Sequence, residues 1–160
     1  MILTLDCDPG ITGAYAILDA AGALIAVEDL PVIRDGKLGW IDADAFTSRL
    51  IEIRGGHELH ATCERVHAMP GNGSQAAFSQ GATLGSILAA LQVVRARIAL
   101  VTPASWKKAM GLSADKSASL DKARLLFPTA ELDRKKDHNR AEALCIATWA
   151  QTHRQTRAAA

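Results

Sequence analysis

The sequence predicts an α/β fold, with a mixed five-stranded sheet flanked by helices in a single domain. Residues 1–102 alternate short apolar runs, typical of strands, with two helical segments, whereas only helical patterns follow Pro103. A chain of 160 residues, 49% hydrophobic and 22% charged, is also the right size for one compact core. Strands followed by helical layers on both sides of a sheet are the expected arrangement.

The first three predicted strands form an antiparallel meander. The first strand lies in "MILTLDCD", and the second and third lie in "TGAYAILDAAGALIAVEDL". A tight turn at "PG" connects the first strand to the second, and a turn at "DAAG" connects the second to the third. A helix follows in "DADAFTSRLIEIRG", because an Asp precedes it, a Gly ends it, and its apolar residues share one face. We expect the intervening segment "PVIRDGKLGW" to be a mobile loop.

The fourth strand is predicted in "ELHATCERV" and the fifth in "RIALVT". Between them a Gly-rich loop leads into the long apolar helix "SQAAFSQGATLGSILAALQVV". The remaining helices are "PASWKKAMG", "ADKSASLDKARLLF" and "NRAEALCIATWAQTHRQ". Residues 1–153 would form the domain, and residues 154–160 a flexible tail.

Composition excludes several classes of protein. Three widely spaced cysteines in apolar runs argue against a disulfide framework or a zinc site, and favour small buried side chains. We expect a cytoplasmic protein without membrane association, since no run of about 18 uninterrupted apolar residues is present. Residues 103–160 carry 11 basic and 6 acidic residues, against 7 and 11 in residues 1–102, so the second part can face a polyanion.

Two acids stand in the first strand. Asp6 and Asp8 are two positions apart and therefore face the same side, and Asp8 lies where the strand ends at Pro9-Gly10. Buried carboxylates without partners are costly, so these two must be hydrogen-bonded, protonated or bound to a cation. The alternative for Asp8 is that it only caps the turn.

Two further acids favour a cation site. Glu64 ends another apolar strand before a Gly-rich turn, and Glu142 stands among small apolar residues on a helix that should be buried. Three oxygen ligands from separate elements, without a His/Cys cluster of zinc spacing, suit Mg²⁺ or Mn²⁺. Two such ions can support hydrolysis of a phosphodiester.

Four segments, in this order, resemble the RuvC-type Holliday-junction resolvases of the RNase H-like superfamily, especially phage-encoded members. "LDCDPGITGAYA" is similar to the family's opening strand, with Asp8 as its aspartate, and "CERVHAMPGNGSQAAFSQGATLG" to its glutamate strand and probing loop, with Glu64. "TPASWKKAMGLSADKSASLDKA" resembles the basic segment with phosphate-binding Lys107 and Lys116. "KKDHNRAEALCIATWA" resembles the closing helix, with Glu142 as the last metal-binding acid.

The resemblance implies an RNase H-like fold and a crossover junction endonuclease. Such an enzyme uses two Mg²⁺ or Mn²⁺ ions per site and nicks branched DNA to leave a 5′-phosphate. It also implies a homodimer formed through the long helix, in the cytoplasm of a bacterial or phage-infected cell. A helix buried within one chain is the alternative explanation of that apolar pattern.

The chain departs from the family in two places. The family's last motif has two acids three residues apart, but Asn139 stands three before Glu142. We favour Asp137 as the fourth ligand because an anion suits Mg²⁺ better, with His138 as the next choice and a helix N-cap as the alternative for Asp137. Asp6 stands where the family usually has a glycine. It would be an additional ligand, an indirect partner of the site or a local peculiarity.

Basic residues provide candidate DNA contacts. Behind a phosphodiester-cleaving site they would neutralise phosphates, although a solvated helix face is the ordinary alternative. The residue at the family's aromatic wedge corresponds roughly to His67, with Met69 beside it. The predicted DNA-binding residues are Lys107, Lys108, Lys116, Arg140, His67 and Met69.

Two other classes remain open at this point. Asp-x-Gly-x-x-Gly after a strand also occurs in actin/Hsp70-type nucleotide-binding ATPases, but the chain is too short for two such lobes and shows no second Gly-rich phosphate loop. A junction-binding protein with weak or no catalysis is the other class, because Asn139 stands in place of an acid.

Overall fold

The structure is a computed structural model that describes residues 1–36, 38–66, 73–113, 115–134 and 136–158, with the backbone alone for residues 116 and 155–158. The strands are β1 (Ile2–Asp8), β2 (Ala14–Leu18), β3 (Leu24–Asp29), β4 (Val32–Asp35), β5 (Leu38–Ile41), β6 (Glu58–Glu64) and β7 (Arg97–Val101). The helices are α1 (Ala43–Arg54), α2 (Ser74–Val93), α3 (Pro103–Ala109), α4 (Lys116–Leu126) and α5 (His138–Ala158).

Five strands form the central sheet in the order β3-β2-β1-β6-β7. Short turns join β1 to β2 and β2 to β3, so these strands pair antiparallel. Helices stand between the later strands, and β1, β6 and β7 pair in parallel, as crossover connections require. The predicted mixed five-stranded sheet with flanking helices is confirmed.

The two faces of the sheet carry different helices. Alternate residues of β1, including Leu3 and Leu5, point into a core shared with α1 and α2. The opposite face packs against α5, where Ala16 and Leu18 of β2 lie in one cluster with small and aliphatic residues of that helix. The α5 members of this cluster are Ala141, Ala143, Leu144, Cys145, Ile146 and Ala147, all buried.

The termini of α1 follow the sequence signals. Asp42 accepts a hydrogen bond from the backbone N–H of Ala45 at 3.0 Å, and Gly55 ends the helix with a φ of 53°. Phe46 and Leu50 are fully buried on the predicted face. The three cysteines are unpaired and buried, as expected.

The expected loop at "PVIRDGKLGW" is instead a small hairpin of β4 and β5, with Val32 opposite Ile41. The turn contains Asp35-Gly36, and Gly36 has a φ of 57°, a conformation that glycine adopts without strain. The prediction of a loop was wrong because charged residues in this segment obscure the alternation typical of strands.

By length and composition, α2 is the one helix in the described part of the chain that is apolar enough to cross a membrane. The sequence predicts no membrane span, because it contains no run of about 18 uninterrupted apolar residues. The helix packs against α1 and β5, and core helices of soluble proteins also meet this criterion, so it is weak evidence for a membrane span.

Candidate active site

Parallel pairing brings two acids to one edge of the sheet. Cys7 of β1 is paired with Cys63 of β6, so the next residues, Asp8 and Glu64, end neighbouring strands at the same edge. Glu142 of α5 approaches this edge from the face that the helix covers, and it is buried, with 8% of its surface exposed. Asp8 and Glu64 thus lie side by side at the strand ends, and Glu142 is near enough for its charge to act on Glu64.

A cavity of about 420 Å³ opens at this edge. Asp8 and the loop that follows it form one wall, the first turns of α2 form another, and Asn139 and Glu142 of α5 form the third. The loop depends on Gly13, because a side chain there would collide with the carbonyl oxygen of Asp8. Asn139 donates a hydrogen bond from Nδ2 to the Thr12 carbonyl, which ties α5 to this loop.

The acids in the site repel one another. Burial, followed by the nearby charge of Glu142, raises the pKa of Glu64 to about 7, while Lys107 acts in the opposite direction. The Lys107 ammonium donates to Glu142 Oε1 at 2.8 Å. Lys107 thus supplies the positive charge that this group of carboxylates requires.

Asp6 lies deeper on the same face and is completely buried. Neither of its carboxyl oxygens has a hydrogen bond of normal geometry, although the backbone N–H of Cys7 lowers its pKa slightly. Burial, with the charges of Cys63, Asp8 and Glu64, raises the pKa of Asp6 well above its ordinary value.

Asp137 is not placed at the cavity, contrary to the role expected for it. Its buried side chain accepts from the backbone N–H of Arg134 and from Arg134 Nε, the latter at 2.8 Å. These contacts hold its pKa below the ordinary range despite burial. His138, the first residue of α5, is also absent from the cavity wall. Of these three residues, only Asn139 lines the cavity.

Arg140 also differs from its expected role as a DNA contact. Arg140 Nε donates to Asp29 Oδ1 at 2.7 Å, and Arg134 and Lys136 donate to the same carboxylate. Asp29 ends β3, so this cluster fastens the start of α5 to the sheet. The three cations hold the pKa of Asp29 well below its usual range.

The other predicted DNA contacts are only partly described. Lys107 lies at the site, and Lys108 is exposed on α3. Lys116 begins α4, but its side chain lies outside the description. His67 and Met69 lie in residues 67–72, also outside the described residues.

A divalent cation fits this donor set chemically. Among the described side chains no three His, Cys, Asp or Glu are close enough to hold a metal ion as they lie here. Asp8, Glu64 and Glu142 are hard oxygen donors, however, and Asp6, whose buried carboxyl oxygens are unpaired, lies on the same face of β1 as Asp8. They could hold Mg²⁺ or Mn²⁺.

Comparison with solved structures establishes the fold. The Thermus thermophilus RuvC in complex with a Holliday junction substrate superposes with a TM-score of 0.70 at 20% identity, covering 97% of this chain and 96% of that one. The structure described as Thermus thermophilus RuvC gives a TM-score of 0.57 at the same identity and coverage. The chain therefore has the RuvC-type, RNase H-like fold.

A curated relative is also similar in sequence. The chloroplastic Holliday junction resolvase MOC1 of Chlamydomonas reinhardtii is 40% identical over 96 residues, which are 58% of this chain and 11% of that protein. The chain thus spans about a tenth of the length of this relative. No protein-family model matches the chain.

Proposed function

We propose that this protein is a divalent-metal-dependent endonuclease that resolves Holliday junctions, or related branched DNA, by paired nicks. The proposal is supported by the position of Asp8 and Glu142 on the wall of an open cavity, with Glu64 ending the strand next to Asp8 at the same edge of a RuvC-type sheet. The sequence similarity to a named junction resolvase supports the choice of substrate.

Asp8, Glu64 and Glu142 would hold Mg²⁺ or Mn²⁺, with the side-chain oxygen of Asn139 as a further donor at the cavity wall. Two ions at such a site would activate the attacking water and stabilise the leaving oxygen of a phosphodiester. Asp137 is bound by Arg134 and is not among the proposed ligands.

The chain's own residues would orient the DNA. Lys107 is held at the site by Glu142 and can turn toward a phosphate once that carboxylate has another cation to bind. Exposed Lys108 on the same helix adds positive charge outside the cavity. Asn139 keeps the loop after β1 against α5, so that Asp8 and Glu142 keep their relative positions.

A homodimer would place two such sites on one junction. The outer side of α2 carries an apolar stripe of Phe78, Gly81, Gly85, Ala89 and Val93, all exposed. Phe78 is 74% exposed and Val93 67%, and among the described residues nothing from another element lies within 4 Å of where a side chain on Gly81 or Gly85 would begin. Large apolar side chains and small residues on one helix face suit packing against a second copy of that helix.

The direct test is cleavage of a synthetic four-way junction with Mg²⁺. We expect wild type to nick the junction, and Asp8→Asn, Glu64→Gln and Glu142→Gln to lose about a thousand-fold in rate, because each removes an anionic ligand. Asp44→Asn, an equivalent change at an exposed position on α1, should cut normally.

Two outcomes would contradict the proposal. Junction binding without cutting would favour a binding-only protein, and Mg²⁺-dependent hydrolysis of ATP in place of DNA would favour the nucleotide-binding class. Linear duplex of the same sequence is the substrate control, since a nuclease without structural preference would cut it equally well.

A further inference from the structure

Asp6 is the most unusual side chain in the described core. It is fully buried in the middle of the sheet, and both carboxyl oxygens lack a hydrogen bond of normal geometry. Burial of a carboxyl group without partners is strongly unfavourable, and natural cores rarely retain one without a role.

Strand geometry shows which way Asp6 points. Leu3, Leu5 and Cys7 belong to the core under α1 and α2, so Asp6 and Asp8 face the side covered by α5. Asp6 is paired with Thr62 of β6, two residues before Glu64. Asp6 therefore lies on the same face as Asp8 and Glu64, one step deeper along both strands.

The charges of Asp8 and Glu64 reach Asp6, and the charge of Asp6 reaches Cys145, one turn beyond Glu142 on α5. Asp6 thus lies near Asp8 and Glu64, and it faces the part of α5 that carries Glu142 and Cys145. On this face Lys107 is paired with Glu142, and Arg154 donates to the Thr4 hydroxyl, so neither of these cations neutralises Asp6.

We propose that Asp6 is a fourth carboxylate of the divalent-cation site, lying beneath Asp8 and Glu64 and strengthening cation binding from inside the core. The inference rests on the proposed function, since it assumes that the three outer acids bind Mg²⁺ or Mn²⁺. It explains why this core retains a carboxyl group whose oxygens lack a hydrogen bond of normal geometry.

The role predicts opposite effects on stability and on cation binding. If the carboxyl group were needed only for folding, its replacement would destabilise the protein. If the carboxyl group is retained for a cation, it destabilises the cation-free protein, because it is buried with no partner charge among the described residues. Asp6→Ala should therefore raise the melting temperature of the cation-free protein. The same replacement should reduce the increase in melting temperature that a bound cation produces.

The test is calorimetric titration of the full chain with Mn²⁺ alone, without DNA. We expect Asp6→Asn and Asp6→Ala to bind Mn²⁺ at least ~10-fold more weakly than wild type, comparable to the loss of a residue supporting a metal site. Asp44→Asn, on exposed α1, is the matched control and should bind like wild type. Melting curves with and without Mn²⁺ give the second readout.

The outcomes separate this inference from the proposed function. If wild type binds Mn²⁺ and cuts junctions while both Asp6 variants bind Mn²⁺ as tightly, only the inference about Asp6 fails. If wild type binds no Mn²⁺, both fail. If both variants fail to fold, Asp6 is a structural residue and the inference is overturned.

Discussion

Glu64 is the residue whose environment responds most directly to pH. Its pKa is raised to about 7, first by burial and then by the charge of Glu142. A carboxyl group with a higher pKa in the folded chain than in the unfolded chain binds more protons when folded. Protonation of Glu64 therefore stabilises the cation-free protein.

The stability of the cation-free protein should fall as pH rises from about 4.5, the ordinary value for Glu, to about 7. Glu64→Gln removes the ionisable group and should flatten this part of the profile. Urea denaturation in the presence of a chelator, at a series of pH values, measures the effect. Parallel profiles for wild type and Glu64→Gln would contradict the assigned environment.

Lys107 offers a second test at the scale of single residues. Its side chain is 20% exposed, and its ammonium is bound to Glu142 beside a predicted DNA surface. Lys107→Ala should weaken junction binding and reduce the dependence of affinity on salt by about one charge. Electrophoretic binding assays at several salt concentrations measure this, with Arg34→Ala, which removes an exposed charge on β4, as the control. An unchanged salt dependence would place Lys107 outside the DNA interface.

Residues at strand ends could be predicted from the sequence, but ion pairs could not. Asp8 and Glu64 stand out because acids rarely end apolar strands without a reason, and Glu142 stands out among small residues. Asp137, with a helix N-cap as its alternative, and Arg140 were also predicted at the site. Their partner cluster includes Asp29, more than a hundred residues earlier in the chain, and no local pattern reveals that pairing.

At the scale of elements, α5 and α2 define the two sides of the site. The Asp29 cluster fastens the first turn of α5 to β3, and Asn139 fastens it to the loop after β1. The first turns of α2 line the cavity, while the apolar stripe of that helix faces outward. One helix thus connects the candidate site to a candidate interface.

Phe78→Glu should convert a dimer into a monomer, because it places charge in the middle of the apolar stripe. The unfolding free energy of the isolated monomer should change by less than about 0.5 kcal/mol, since Phe78 is 74% exposed. Sedimentation velocity measures the oligomeric state. Leu125→Glu is the matched control, because this leucine is 77% exposed on α4, away from the stripe.

A monomeric wild type at micromolar concentration would contradict the assignment of the stripe as the interface. A dimer that persists in Phe78→Glu would show that a different surface joins the two copies. Either result would leave the assignment of the acids unaffected, because Asp8, Glu64 and Glu142 belong to one chain.

Long helices and core strands could be predicted from periodicity, whereas the β4–β5 hairpin and the role of Gly13 could not. The hairpin is small and partly charged, so its alternation is weak. Gly13 is required by the approach of the Asp8 carbonyl, a contact within a turn that composition alone does not reveal.

At the scale of the whole molecule, the order of the strands explains the position of the site. β1 is the first strand in the sequence, and β6 pairs with it in parallel after a crossover connection. Acids separated by more than fifty residues therefore lie at the same edge of the sheet. The fold class followed from the order of elements, because few sheet topologies accept a meander followed by crossover strands. The proposed surface for a second copy on α2 did not follow from the residue pattern alone, because that apolar pattern fits a core helix as well as an interface.

The most direct test of the central claim is cleavage of a supercoiled plasmid that extrudes a cruciform. Two metal-dependent sites on a dimer should cut both strands at the crossover, so wild type with Mg²⁺ should yield linear plasmid as the main product. Glu64→Gln should yield none. An intact cruciform with bound protein and Mg²⁺ would contradict the assigned activity, and accumulation of nicked circles alone would contradict the pairing of two sites.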